Sequence, residues 1–211
     1  MTPQSRVAPV TRLPELPFPL APEGPQAPWS YREGTLAVRA GACEDLFVPP
    51  SGDSPDPASD APRLLGTPPP GDFQLIARVT ARFAGAGDAG ALYLETGERE
   101  WAKLCFELSP DIPTVCSVVT RGYSDDVNSS VVAGDSVWLR ISRTGKAFAF
   151  HASEDGERWT FVRFFALGDA DAAAAARIGF LAQCPMADGC AVTFDSLAYR
   201  DHAFRALRDG S

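Results

Sequence analysis

Sixteen of the 19 prolines lie at or before Pro70, which leaves three for the remaining two thirds of the chain. Proline fixes φ and removes a backbone donor, so the first third cannot be mainly helix or central strand. The prolines fall in two stretches: an arm, Met1 to Pro28, and an irregular region from Pro49 to Gly71 that contains PPSGDSPDPASDAP and TPPPGD. Between them Thr35 to Ala40 alternates Leu36 and Val38 with Ala37 and Arg39, as a strand does. A length of 211 residues suits one domain with a real core, and 45% apolar against 22% charged residues excludes a largely disordered chain.

Net charge is −8, which argues against nucleic acid as a partner because phosphate binding needs clustered Lys and Arg. No apolar run reaches the roughly 18 residues needed to span a bilayer. Pro14, Pro17, Pro19 and Pro22 interrupt any signal-peptide core, so the N-terminus reads as a leader tail. Five cysteines, an odd number without framework spacing, fit a reducing cytoplasm.

After Gly71 short β-rich runs follow one another: FQLIARVTARF, GALYLE, WAKLCFEL, TVCSVVTR, SVWLRISR, AFAFHAS, WTFVRFFAL, RIGFLAQ and AVTFDSLAYR. That spacing predicts an all-β antiparallel sandwich or barrel with little helix; only Asp169 to Ala176 has room for one or two helical turns. Period-two alternation assigns faces. Ala102, Leu104, Phe106 and Leu108 face the core, as do Val137, Leu139 and Ile141, and Ile178, Phe180 and Ala182. The opposite faces carry Trp, Arg, Lys, Glu and Gln, a solvent side that suits a ligand groove if the strands are neighbours, although any antiparallel sheet has a wet face. With Asp111 as the centre of the SPDIP turn, Cys105 faces Ser117 and Phe106 faces Cys116, which puts the two cysteines on opposite sides of the sheet. Asp155-Gly156 predicts a type I′ hairpin, with Trp159 as a core or corner anchor.

A set of ordered blocks resembles the DUF1349 family: DLFVPP at 45–50, APRLL at 61–65, GDFQLIARV at 71–79, AGALYLE at 89–95, WAKLCFE at 101–107, SVVTRGYSDD at 117–126, VWLRISR at 137–143, SEDGERWTFVRFF at 153–165 and GFLAQCP at 179–185. The family is similar in fold to concanavalin A-like lectins and glucanases and to the sandwich module of some β-xylosidases. One branch is named for regulation of enolase. The resemblance implies a jelly-roll sandwich over 29–200, between the arm 1–28 and a C-terminal tail 201–211. It places ligand-binding candidates on a concave sheet: Trp101, Lys103, Glu107, Trp138, Arg140 and Gln183, with Ser124, Asp125 and Asp126 in an adjacent loop. His151, at a strand end on a polar face, joins them.

Catalysis is not indicated. The glucanase pattern E-x-D-x-x-E is absent, since Glu95, Glu98 and Glu100 stand in ETGERE around Gly97, and no G-x-S-x-G is present. Asp53, Asp56 and Asp60, or Asp125, Asp126 and Asn128, are oxygen ligands of the kind calcium takes, without EF-hand spacing. Zinc spacing is missing. No cofactor is therefore expected. The expectation is a cytoplasmic, non-catalytic module for a glycan or another small polyhydroxylated or anionic ligand. The alternatives are a protein-interaction domain regulating a metabolic enzyme and a glycoside-active enzyme.

Overall fold

The computed structural model describes residues 11–52 and 60–211. Fourteen strands and one short helix follow in chain order: β1 (Ala21–Glu23), β2 (Ser30–Arg32), β3 (Thr35–Gly41), β4 (Arg63–Gly66), β5 (Phe73–Arg82), β6 (Ala89–Gly97), β7 (Glu100–Leu108), β8 (Pro113–Arg121), β9 (Tyr123–Val131), β10 (Ser136–Thr144), β11 (Ala147–Ser153), β12 (Thr160–Ala166), α1 (Ala170–Ala174), β13 (Arg177–Gln183) and β14 (Gly189–Arg200). They form two seven-stranded antiparallel sheets. The first runs β1-β4-β13-β6-β7-β8-β9 and the second β12-β11-β10-β5-β14-β3-β2. This is the β-sandwich that the strand spacing predicts.

Alternation builds the core. Leu92, Leu94, Ala102, Leu104, Phe106, Ile178 and Phe180 from the first sheet meet Val79, Val137, Leu139, Ile141, Phe148, Phe150 and Phe194 from the second, all buried. Each large side chain so buried contributes roughly 1.5–3 kcal/mol. Among the described residues helix is confined to one turn and a half, started by Asp169, whose carboxylate accepts from the Ala172 amide at 2.9 Å.

Three local expectations change. The described part of the arm belongs to the sandwich: Leu13, Leu16, Phe18 and Leu20 are buried in the main core, and β1 pairs with β4. Its prolines permit this because β1 is an edge strand, where a missing donor breaks no central ladder. Leu108 pairs with Pro113, so the β7–β8 loop is Ser109–Ile112 and its midpoint falls after Pro110; the register moves by one, and Cys105 pairs with Cys116 on the same face. The β11–β12 connection spans residues 154–159, and only Gly156 within it has positive φ, so it is a longer loop organised by Asp155.

Residues 201–211, the C-terminal tail, pack on the sandwich. They lie over the outer face of the second sheet, where His202 O accepts from Gln74 Nε2 at 3.1 Å and Leu207 O accepts from His151 Nε2 at 2.8 Å.

Candidate functional site

The outer face of the first sheet carries Tyr93 and Glu95 from β6, Trp101, Lys103, Cys105 and Glu107 from β7, Cys116 and Val118 from β8, Asp126 and Asn128 from β9, and Arg177 and Gln183 from β13. It is not the open wet face expected. Trp101, Lys103 and Gln183 are 3%, 1% and 3% exposed. The cause is a covering segment. Glu44 bridges to Cys184, the Val48 amide donates to Ser124 Oγ at 2.9 Å and the Ser124 amide donates back to Val48 O at 2.8 Å. Between these ends Leu46, Phe47 and Val48 pack on an apolar patch that includes Tyr93, Trp101, Cys105, Cys116 and Val118. Ser124 therefore holds the strap in place.

Two cavities open beside the strap. The larger, about 720 Å³, is lined by Leu46, Tyr93 and Trp101 and rimmed by charged groups. Arg177 donates to both Glu23 and Glu95, with Nη2 at 2.9 Å from Glu23 Oε2. Arg63 pairs with Asp60 and lies 5.7 Å from the centre of the Tyr93 ring. The Tyr93 hydroxyl donates to Glu95 Oε2 at 3.0 Å, and its ring stacks on Trp101 at 6.1 Å. Burial, with Glu95 beside it, pushes the Tyr93 pKa well up, and hydrogen bonding to Glu23 and Glu95 holds the Arg177 guanidinium charged. Glu98 is exposed at the rim.

The smaller cavity, about 180 Å³, brings together Asp45, Lys103, Glu107, Asp126, Asn128 and Gln183. Lys103 Nζ donates to Gln183 Oε1 at 2.6 Å and lies 3.5 Å from Asp45. Burial opposes the charge on Lys103, but Asp45 and its other neighbours outweigh it and the pKa is raised. Burial raises the Glu107 carboxyl to about 7 in spite of Lys103. Four predicted residues, Lys103, Glu107, Asp126 and Gln183, thus do converge.

The others do not join them. Asp125 points to the opposite side of β9 and pairs with Arg163 of β12 at 2.9 Å, so Asp125, Asp126 and Asn128 cannot ligate one ion together. Asp53 and Asp56 lie outside the described residues. Trp138, Arg140 and His151 stand on the outer face of the second sheet, across the sandwich. A single groove holding all the candidates is excluded, because β10 and β11 belong to the sheet that lacks β7 and β13. Trp138 packs against Gly156, while Arg140 and His151 are buried beneath the C-terminal segment. Sequence reading passes over Arg63, Tyr93 and Arg177; the alternation Ala89, Ala91, Tyr93, Glu95 opposite Trp101 in β7 was the available signal.

Among the described residues no helix is long and apolar enough to cross a membrane. The model of a family described as protein of unknown function (DUF1349) matches residues 23–202. A protein of Saccharomyces cerevisiae called "Regulation of enolase protein 1" is 25% identical over 152 residues, 71% of this chain and 75% of that one. The crystal structure of a functionally unknown protein from Saccharomyces cerevisiae superposes with a TM-score of 0.73 at 19% identity, covering 86% of this chain and 96% of that one. The GH43 protein BlXynB of Bacillus licheniformis superposes with a TM-score of 0.65 at 15% identity over 82% of this chain, but over only 34% of its own length.

Proposed function

The chain belongs to the DUF1349 family, and from that premise we propose that it is a non-catalytic module that binds a polyhydroxylated ligand, a glycan or a fragment of one, on the outer face of its first sheet. The observation that carries this is the 720 Å³ cleft, in which Arg63 and Arg177 stand among Glu23, Asp60, Glu95 and Glu98 above the Tyr93–Trp101 pair. Carboxylates accept from hydroxyls and guanidinium groups donate to them, so an array of both signs suits vicinal hydroxyls. Four carboxylates against two guanidinium groups disfavour an anionic ligand there. Tyr93 and Trp101 are nearly fully covered, so specificity falls to the charged rim and Leu46. Lys103, Glu107, Asp126 and Gln183, beyond Phe47, offer a second, smaller place on the same face. Resemblance to part of a GH43 protein supports a role beside carbohydrate.

The test is a glycan array followed by isothermal titration of the best hit into the wild-type chain and into Glu98→Ala and Arg177→Gln. Saturable binding that weakens at least tenfold in Arg177→Gln, with Trp138→Ala on the far face unaffected, is the expected result. Absence of binding by folded wild-type protein across the array overturns it.

A second reading is a regulatory interaction domain, as the name of the yeast relative suggests for that protein. One observation favours it. The edge strand β9 leaves Tyr123, Val127 and Val131 exposed at 56%, 47% and 63%, and Phe164 of the opposing edge strand β12 is 47% exposed. Exposed apolar residues on an unpaired edge suit a protein partner. Co-purification with enolase that is lost in Val127→Asp would select this reading.

A further inference from the structure

Arg140 is 1% exposed, yet among the described residues no carboxylate pairs with it. Nη1 donates to Gln74 Oε1 at 3.1 Å and the guanidinium lies 4.2 Å from the centre of the Trp159 ring, while Nε and Nη2 have no partner. Those two nitrogens form one edge of the guanidinium, with two N–H bonds pointing the same way. The same edge of Arg78 grips a carboxylate in this chain, Nε to Asp195 Oδ1 at 2.9 Å and Nη2 to Asp195 Oδ2 at 3.1 Å. On Arg140 that fork is empty. Its strand neighbour Arg143 is buried as well, but backbone carbonyls fill its donors. Leaving a buried cation uncompensated is strongly unfavourable, so the Arg140 edge lacks an anion in a way Arg143 does not.

The surroundings supply the rest of a site. Arg140 lines a cavity of about 360 Å³ with Arg200, Arg205, Glu157, Trp159 and Phe204. Among the lining side chains three guanidinium groups stand against one carboxylate, and Ser211 O is taken up by the Arg205 and Ala206 amides, which leaves a positive pocket on a chain whose net charge is −8. Arg200 and Arg205 are exposed, so their charges are free to turn inward. The edge itself is covered by Gly210, whose φ is 66° and where a Cβ would lie 2.0 Å from Arg140 Nη2; only glycine lets the chain lie there. The Gly210 amide donates to Ala206 O at 2.8 Å, and the His151 bond to Leu207 O fastens this covering turn.

We propose that the pocket between Arg140, Arg200 and Arg205 binds a small oxyanion, the carboxylate or phosphoryl group of a small molecule, on the empty Nε–Nη2 edge of Arg140, and that the turn containing Gly210 covers this edge until the anion displaces it. The site lies on the opposite face of the sandwich from the glycan cleft and does not depend on it.

The experiment is isothermal titration of the full chain with inorganic phosphate and, separately, with succinate, at constant ionic strength, and then of Arg205→Gln, Arg140→Gln and Gly210→Ala. Saturable binding of at least one probe is expected, weakened severalfold in Arg205→Gln and abolished in Arg140→Gln. Gly210→Ala tightens it, because the added Cβ cannot share space with Nη2 and lifts the cover. Phosphate alone binding assigns a phosphoryl ligand, and succinate alone a carboxylate. Should Arg140→Gln fail to fold, Arg200→Gln and Arg205→Gln, both surface changes, decide the matter. No binding of either probe to the wild-type chain, or binding unchanged in the arginine variants, overturns the site, and unchanged affinity in Gly210→Ala overturns the cover.

Discussion

Cys105 and Cys116 lie directly opposite each other across β7 and β8, and both are free thiols buried on the outer face of the first sheet. Burial raises both pKa values, that of Cys105 well above the ordinary thiol and that of Cys116 to about 12. Reactivity follows the thiolate, so neither is a ready nucleophile. Cys184 and Cys190 are likewise buried, with pKa values pushed up to about 11 and about 12 by burial, which leaves Cys43 as the exposed thiol. Titration of the native protein with a chromogenic disulfide should therefore show one fast equivalent, absent in Cys43→Ser, and five in denaturant. A second fast equivalent in the native state that disappears in Cys105→Ser or Cys116→Ser would mean that the Leu46–Val48 strap opens.

Glu107 carries the next expectation. Its carboxyl is raised by burial to about 7 in the fold, above the ordinary 4.5 of the unfolded chain. The folded state thus holds the proton more tightly, and the associated stability is full below about pH 4.5 and lost as pH rises through about 7. The loss is on the order of 1–2 kcal/mol once its partial exposure is allowed for. Urea midpoints near pH 5 and near pH 8 should converge in Glu107→Gln relative to wild type. Equal pH dependence in the two proteins would place the Glu107 carboxylate in contact with water.

Both the success and the failure of sequence reading trace to what alternation encodes. It separates the two faces of a strand, and so Leu104, Phe106, Leu139 and Phe180 are found in the core as expected. It does not say which sheet a strand joins. Trp138 and Arg140 share the pattern of Trp101 and Lys103 but sit across the sandwich, because β10 pairs with β5 and β11 whereas β7 pairs with β6 and β8. Nor does alternation reveal what crosses an outer face. Lys103 and Gln183 look solvent-facing until the segment Glu44–Val48 is laid over them, and His151 until Leu207 closes on it. The Cys105–Cys116 register turned on one residue of loop length, which period-two reading cannot resolve.

His151 ties the covering C-terminal turn to pH. Burial lowers its pKa to about 4, with Arg140 nearby adding to the effect. A folded value below the unfolded one, near 6.5, gives stability that is present above about pH 6.5 and lost as pH falls toward about 4. Relative to the intrinsic rate at each pH, amide exchange at Gly210, whose N–H donates to Ala206 O, should accelerate over that interval well before β10 and β11 lose protection. In His151→Gln, where an amide N–H can still donate to Leu207 O, the acceleration should disappear. Its persistence would assign the pH dependence to another group.

Arg143 ties the proline-rich region to the helix. Its Nε donates to Gly71 O at 2.8 Å, Nη1 to Ala173 O at 2.9 Å and Ala174 O at 3.1 Å, and Nη2 to Pro69 O at 3.3 Å, over the Phe73 ring at 4.9 Å. One planar group thereby closes the end of the second proline stretch against the last turn of α1, taking up the Ala174 carbonyl and adding to the Ala176 amide that donates to Ala173 O at 3.4 Å. Lysine keeps the charge but has one compact ammonium, which cannot reach carbonyls on both sides. Arg143→Lys should lower stability by about 2–4 kcal/mol, since it strands buried carbonyls and leaves a buried ammonium short of acceptors. Chemical denaturation gives the magnitude, and hydrogen exchange should show Ala173 and Ala175 losing protection first. A loss below about 0.5 kcal/mol, the usual scale of surface changes, would mean that packing of Pro69–Gly71 and α1 stands without the guanidinium.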